Sequence, residues 1–382
     1  MPSSKTEVKR RILVDLLGYT GARGGTETYV RNLMVRLPTL MPDVEFVALT
    51  NAVGAEEVGS FFPGQLRTLA WVGSSSSSWA LGEVLGANRA ARREGVDLVW
   101  APANFGPIWR GTKRVTSIHD VIYHQVRGSL RERVSRSVTS WLMNRSARSS
   151  DAIVTISKAT RTAVMTHLGI ESDRISVVLN GSSEPPANAD ANSTLGPLGI
   201  DTQRKIVLST GNRMPHKNFE GLLRAVATIA PGERPLTVIP GSHDDDPLRP
   251  LVETLGLEQD VILPGWVTSD QLEALYTVCD VYACPSLVEG FGLPIVDALR
   301  RGCAVVANDV AVLREVGGEV VVYADATNPT DFGMVISGAL DPLADTERAR
   351  AIEWASRFTW DASAAGTAAV LDAQLSGRKG NM

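Results

Sequence analysis

The chain has little cysteine: Cys279, Cys284 and Cys303 are the only three in 382 residues, and none forms a C-x-x-C pair. That argues against a disulfide framework or a thiolate zinc site, and it suits a reducing compartment. Long hydrophobic runs are also missing. No stretch reaches the ~18 uninterrupted apolar residues of a spanning helix, and the N-terminus has no signal-peptide core, so a cytoplasmic protein is expected. Excess positive charge is absent too, the formal net charge being −4, so no nucleic-acid partner is expected. What is present is an ordinary globular balance of 44% hydrophobic and 21% charged residues. At 382 residues the chain exceeds what one core usually holds, and two domains follow.

The first half alternates apolar runs with helical spacing. Strands are predicted at 11–17, 44–49, 97–101, 115–118, 152–156 and 175–179, with helices between them, which gives a parallel sheet covered on both faces. After the first strand comes a glycine-rich loop with Gly24, Gly25 and Glu27, then apolar spacing at Val30, Leu33, Met34 and Leu37. Strand, glycine loop and helix start together make a cradle for an anion. The five serines of 74–78 read as a flexible loop. His119 and Asp120 follow the strand at 115–118, where open parallel sheets collect ligands, with Tyr123 close behind. Residues 110–148 carry nine Lys or Arg against two acids, with Leu130, Val134, Val138, Trp141 and Leu142 at helical spacing. Such a helix can lie on an anionic membrane, or pack on its own sheet with an arginine-rich solvent face.

Residues 183–203 are rich in turn formers and read as a linker. The alternation then restarts at 205–210, followed by a loop with Arg213, Pro215, His216, Lys217 and Asn218 and a helix over 219–229. Two cations after a strand end can neutralise a diphosphate through charge-assisted hydrogen bonds. Further strands are predicted at 236–240, 261–263, 304–307 and 319–323, and Trp266 and Val267 follow the second of them. The triple acid 244–246 reads as an acidic loop, with no metal expected.

The most informative stretch runs from Ser286 to Gly302. An apolar strand over 281–285 breaks into Glu289-Gly290-Phe291-Gly292-Leu293-Pro294 and a helix. Proline suits a first helical turn, glycine lets the backbone approach a ligand, and the free N–H groups there bind anions. Glu289 lies before the helix and Asp297 within it, each able to accept hydrogen bonds from hydroxyls. A phosphate site between two hydroxyl-binding carboxylates describes a sugar nucleotide.

This run resembles the Glu-x7-Glu signature of the retaining glycosyltransferases of family four, with Asp297 in place of the second Glu. The Gly24-Gly25-x-Glu27 loop, the His119-Asp120 pair, Asn180-Gly181 and the Pro215-x-Lys217-Asn218 run resemble further motifs of that family, in the same order along the chain. His216 departs from the family, whose members often have an Arg there.

The resemblance implies an α/β GT-B fold of two Rossmann-like domains facing across a cleft. Residues 1–182 would bind the acceptor, 183–203 link, 204–355 bind the nucleotide sugar, and 356–382 form a helix crossing back to the first domain. It implies catalytic roles for His119, Glu289, Arg213 and Lys217. It implies donor contacts from Gly24, Gly25, Arg213, Lys217, Trp266, Val267, Glu289, Gly290, Phe291, Gly292, Leu293 and Asp297, and acceptor-side positions at Asp120 and Tyr123. No cofactor is required. The expected activity is retaining transfer of a hexose, foremost mannose from GDP-mannose, to a glycan or lipid-linked saccharide, with peripheral contact to an anionic membrane at the inner face of the cell membrane. UDP- or dTDP-sugar donors, or a GT-B epimerase or inactive sugar-nucleotide-binding protein, stay open.

Overall fold

The computed structural model describes residues 9–21, 24–122, 130–185, 191–243 and 245–377. Tyr123 lies outside them. The chain divides into two compact units, Met1–Gly181 with Trp360–Met382, and Ser182–Thr359.

The first unit is built on strands β1 (Arg10–Leu16), β2 (Val44–Asn51), β3 (Gln65–Leu69), β4 (Leu98–Ala101), β5 (Lys113–Ile118), β6 (Ala152–Thr155) and β7 (Ile175–Val177). They form one parallel sheet in the order β3-β2-β1-β4-β5-β6-β7. Consecutive residues Ile12, Leu13 and Val14 are all fully buried, because helices cover both faces of a parallel sheet. β3 has the sequence QLRTL and is half exposed along its length, an edge strand with no apolar run to announce it. Helix α1 (Gly25–Leu40) buries Tyr29, Val30, Leu33, Met34 and Leu37 at helical spacing. In α2 (Leu130–Ser149), Met143 and Ala147 are buried but Trp141 is exposed, so Trp141 is not on the packed face expected for it. The serine run is not a loop either. Ser76–Leu81 is helical, and Ser75 caps it by accepting from the Ser78 N–H at 3.3 Å.

The C-terminal helix Trp360–Leu375 completes this unit. It buries Trp360 beside Tyr29 and is tied by Asp361 to Arg36 at 2.6 Å and by Asp372 to Arg10 at 2.9 Å.

The second unit repeats the plan with β8 (Ile206–Leu208), β9 (Leu236–Val238), β10 (Val261–Ile262), β11 (Val281–Cys284), β12 (Ala304–Asn308) and β13 (Val322–Ala324). The sheet is parallel, in the order β10-β9-β8-β11-β12-β13. Its helices include α3 (Phe219–Thr228), α4 (Ser269–Val278) and α5 (Leu293–Arg300). Thr268 and Gln271 form a capping box at the start of α4. The stretch read as a linker belongs to this unit, with Leu195 and Ile200 buried, since even a turn-rich segment will bury the few large apolar residues it has. Among the described residues no helix is long and apolar enough to cross a membrane.

Candidate active site

Both sheets put polar side chains past the carboxyl ends of their strands, and in the second unit β8 and β11 are neighbours. The loops that follow them are joined by an ion pair, Lys217 Nζ to Glu289 Oε1 at 2.6 Å, with both side chains mostly buried. Around it the loops interlock through backbone. The Leu287 N–H donates to the His216 carbonyl at 2.8 Å, and Asn218 Nδ2 donates to the carbonyls of Ala326 at 2.9 Å and Pro285 at 3.2 Å. Asn308, at the end of β12, donates to the Ser286 carbonyl and accepts from the Ala326 N–H, each at 3.0 Å.

Beside this pair, Gly292 adopts φ +95° and turns the chain into α5, where Leu293 and Pro294 form the first turn. A side chain at 292 would sit 3.0 Å from Leu313 Cδ2 in a backbone state that L residues rarely adopt, so glycine is required there. Phe291 is buried with its ring 5.7 Å from that of Phe358. Its side chain therefore anchors the loop, which leaves Phe291 only its backbone for a ligand. The opening N–H groups of α5 and the helix dipole favour an anion there.

The structure changes the reading of Arg213. Its guanidinium donates to both oxygens of Asp246, with Nη2 at 2.6 Å, and to the carbonyls of Ile239 at 2.6 Å, Gly211 at 3.1 Å and Pro240 at 3.3 Å. It also stacks on Phe219 at 5.0 Å. With its donors engaged, Arg213 braces the loops after β8 and β9. Asp246, taken from the sequence for part of an acidic loop, is its buried partner. The two loops touch so closely that a Cβ on Gly241 would lie 2.4 Å from the Gly211 carbonyl oxygen.

Asp297 is also engaged. It sits in α5 and accepts from Ser182 Oγ, and burial pushes its carboxyl above the usual range, with the Ser182 bond partly offsetting. That ties the start of the second unit to α5, where the sequence suggested a contact with the donor. Of the pair after β10, Val267 is buried, while the Trp266 indole is 46% exposed, with the His243 ring 6.3 Å away.

In the first unit His119 follows β5 and is buried. Its Nε2 lies 2.6 Å from the Pro102 carbonyl oxygen, which can only accept, so the proton is on Nε2 and Nδ1 is bare. Burial pushes its pKa down to about 4, the Pro102 bond partly offsetting. The ring meets Tyr29 edge-on at 4.7 Å, and its backbone N–H donates to Asn104 Oδ1 at 2.6 Å. A neutral imidazole fixed in one tautomer can accept a hydrogen bond at Nδ1 but is not a cation at neutral pH. Asp120 Oδ1 accepts from the Ile122 N–H at 3.2 Å. Gly24 precedes α1, and its carbonyl accepts from the Thr28 N–H at 3.0 Å. Among the described residues, no atom lies within 4 Å of where a Cβ on Gly24 would point. Gly25 is the first residue of α1.

Sequence reasoning missed a second buried cluster in this unit. Asp15 and Glu83 share a hydrogen bond, with burial the main cause that raises both, Asp15 to about 6. Fully buried Arg114 lies close enough to lower them and is held by Ser149 Oγ at 2.6 Å and the Trp109 carbonyl at 3.1 Å. Glu83 stands in a π-helical turn, Gly82–Gly86, which no residue spacing marks in advance.

Two parallel α/β units with polar loops at the strand ends define the chain as a glycosyltransferase of the GT-B fold. The profile described as "Glycosyl transferases group 1" matches residues 192–348, and that described as "Glycosyltransferase Family 4" matches residues 23–182. The O-antigen chain mannosyltransferase B of Escherichia coli is 30% identical over 285 residues, 71% of this chain and 73% of that protein. The chain belongs to glycosyltransferase family 4, and it is an enzyme of the hexosyltransferase class. Among solved structures, sucrose-phosphate synthase from Thermosynechococcus elongatus superposes with a TM-score of 0.78 at 18% identity, covering 96% of this chain and 100% of that one. Anabaena HepE in complex with UDP and glucose superposes at 0.71 with 19% identity, covering 95% and 100%.

The buried neutral His119 has a measurable consequence. Its folded pKa of about 4 lies below the unfolded value, so the unfolded chain binds the extra proton first and stability falls as pH drops from about 6.5 towards 4. Denaturant unfolding at pH 7 and pH 4 should show His119→Gln losing roughly 3 kcal/mol less over that window than the unsubstituted protein. Equal losses would mean that His119 is not buried neutral.

Proposed function

We propose that this enzyme transfers mannose from GDP-mannose, with retention at the anomeric carbon, to a glycan or lipid-linked saccharide. The observation that carries the donor site is the Lys217–Glu289 pair beside the start of α5. An ammonium on a flexible stem can turn between a carboxylate and a phosphate, and Glu289 can accept from sugar hydroxyls. Support for mannose comes from the E. coli relative, whose name is that of a mannosyltransferase, and from the Ser117-Ile118-His119-Asp120 context.

In this reading the bond from the anomeric carbon to the diphosphate oxygen breaks as the acceptor oxygen attacks on the same face. The acceptor proton passes to the departing phosphate oxygen. Lys217 and the N–H groups of Gly290–Leu293 stabilise the charge that gathers on the diphosphate, which lowers the barrier beyond aiding binding. A covalent intermediate is not invoked, since Glu289 is already engaged by Lys217. Arg213 and Asp297 act by positioning, and His119 offers Nδ1 as an acceptor on the first unit.

Lys217→Ala and Glu289→Ala should each lower kcat by about 10²–10³ while leaving the circular dichroism spectrum near that of the unsubstituted enzyme. Full activity in either variant rejects its role. A panel of GDP-mannose, UDP-glucose and dTDP-rhamnose, with the product anomer read by NMR, tests the donor and the stereochemistry. Transfer from a UDP or dTDP sugar alone would replace the mannosyl reading, and an inverted product would remove retention.

We also infer peripheral membrane contact through the first unit. Trp109 and Trp141 are exposed there, and Arg145 stacks on Trp109 at 5.4 Å, the mix of indole and cation that suits an anionic interface. Vesicles containing anionic lipid should co-sediment the protein at low salt and release it at high salt. No binding at low salt ends this inference.

A further inference from the structure

Two of the three cysteines meet. Cys279 caps the end of α4 and Cys303 follows the end of α5, and their sulfurs are 3.1 Å apart. The strand register explains the meeting. β11 and β12 are parallel with Val281 opposite Ala304, so Cys279, two residues before the one, and Cys303, one before the other, enter adjacent strands only one residue out of register. Neighbouring strands are ~4.8 Å apart, which places such positions inside the Cα separation that a disulfide spans. Both backbones are already fixed, with Cys279 N–H donating to the Leu275 carbonyl and Cys303 N–H to the Ala298 carbonyl, each at 3.0 Å. Closing the bond therefore needs side-chain rotation and little movement of the main chain.

Both sulfurs are buried but border a cavity. A surface cavity of about 180 Å³ is lined by Cys279, Cys303, Tyr276, Arg301, Asp341 and Arg348. All three cysteines are buried, and Cys284, within β11, differs in being absent from that lining. The hydrogen bonds also give the two thiols different roles. Cys303 S–H donates to the Tyr276 carbonyl at 3.0 Å, and Cys279 S–H is shared between the Cys303 sulfur at 3.1 Å and the same carbonyl at 3.5 Å.

We propose that Cys279 and Cys303 form a reversible disulfide modification site, closed by a peroxide that enters the cavity. The Cys303 sulfur, supported by the Cys279 S–H, attacks the peroxide O–O bond, releasing water and leaving a sulfenic acid. The Cys279 sulfur then attacks the sulfenic sulfur, a second water leaves with the thiol proton, and the S–S bond forms. Two thiols and one hydrogen peroxide thus give one disulfide and two waters. The bond to Cys303 and burial hold Cys279 well above the ordinary thiol range, in keeping with its acting second. The product would staple the end of α4 to the end of α5, the helix whose other end opens the Glu289 loop.

The test is to treat the full chain with hydrogen peroxide, unfold it, alkylate the remaining thiols and map the peptides by mass spectrometry. The expected result is the loss of two of the three titratable thiols, a cross-linked pair of peptides containing 279 and 303 that is lighter by two hydrogens, an alkylated Cys284, and full recovery with dithiothreitol. Cys303→Ser should abolish the cross-link with Cys279 retained, and Cys279→Ser should leave oxidation stalled on Cys303. Three alkylated thiols after peroxide, or a cross-link that includes Cys284, would overturn the proposal.

Discussion

A parallel strand covered on both faces has little room for charge along its length, Asp15 and Arg114 of the first unit being buried exceptions. That constraint organises both units. Ile12–Val14 and Val281–Ala283 are apolar without alternation because each residue meets a helix on one side or the other. The chemistry is thus forced into the loops, and the loops must be held by something other than the sheet. In the second unit the Lys217–Glu289 pair, the two asparagines and the Arg213–Asp246 brace supply that hold.

The charged residues at these strand ends fall into two kinds. Arg213 is satisfied on all sides by one carboxylate and three carbonyls, so losing it would leave Asp246 buried and alone, a change that costs stability before it touches catalysis. Lys217 is a compact ammonium on a long stem, paired with Glu289 across two loops. Burial separates the carboxylates in the same way. Asp297 is turned to Ser182 and pushed toward its protonated form, while Glu289, in the loop before α5, is paired with Lys217.

Much of this was legible in the sequence because the residues concerned obey local rules. Apolar runs, glycine loops and a proline in a first helical turn announced the strands and α5, and the order of motifs announced the family. The rest depends on long-range partners that no spacing encodes. Arg213 and Lys217 look alike along the chain, and only their partners, Asp246 for the one and Glu289 for the other, tell them apart. β3 pairs through its backbone with β2 and so needs no apolar signature. The serine run became a helix because Ser75 found the Ser78 N–H, and Trp141 missed the packed face although its spacing fitted. The Asp15–Glu83 contact joins a strand to a π-helical turn and is likewise tertiary.

The central claim is that the diphosphate of the donor is held at Lys217, beside the start of α5. Calorimetric titration with whichever of GDP, UDP and dTDP binds most tightly tests it directly, run on the unsubstituted protein and on Lys217→Ala over a range of salt. One charge-assisted contact is worth about 1.5–3 kcal/mol, so the variant should bind roughly 10- to 100-fold more weakly, with a shallower dependence on salt. Unchanged affinity and an unchanged salt dependence would contradict the account.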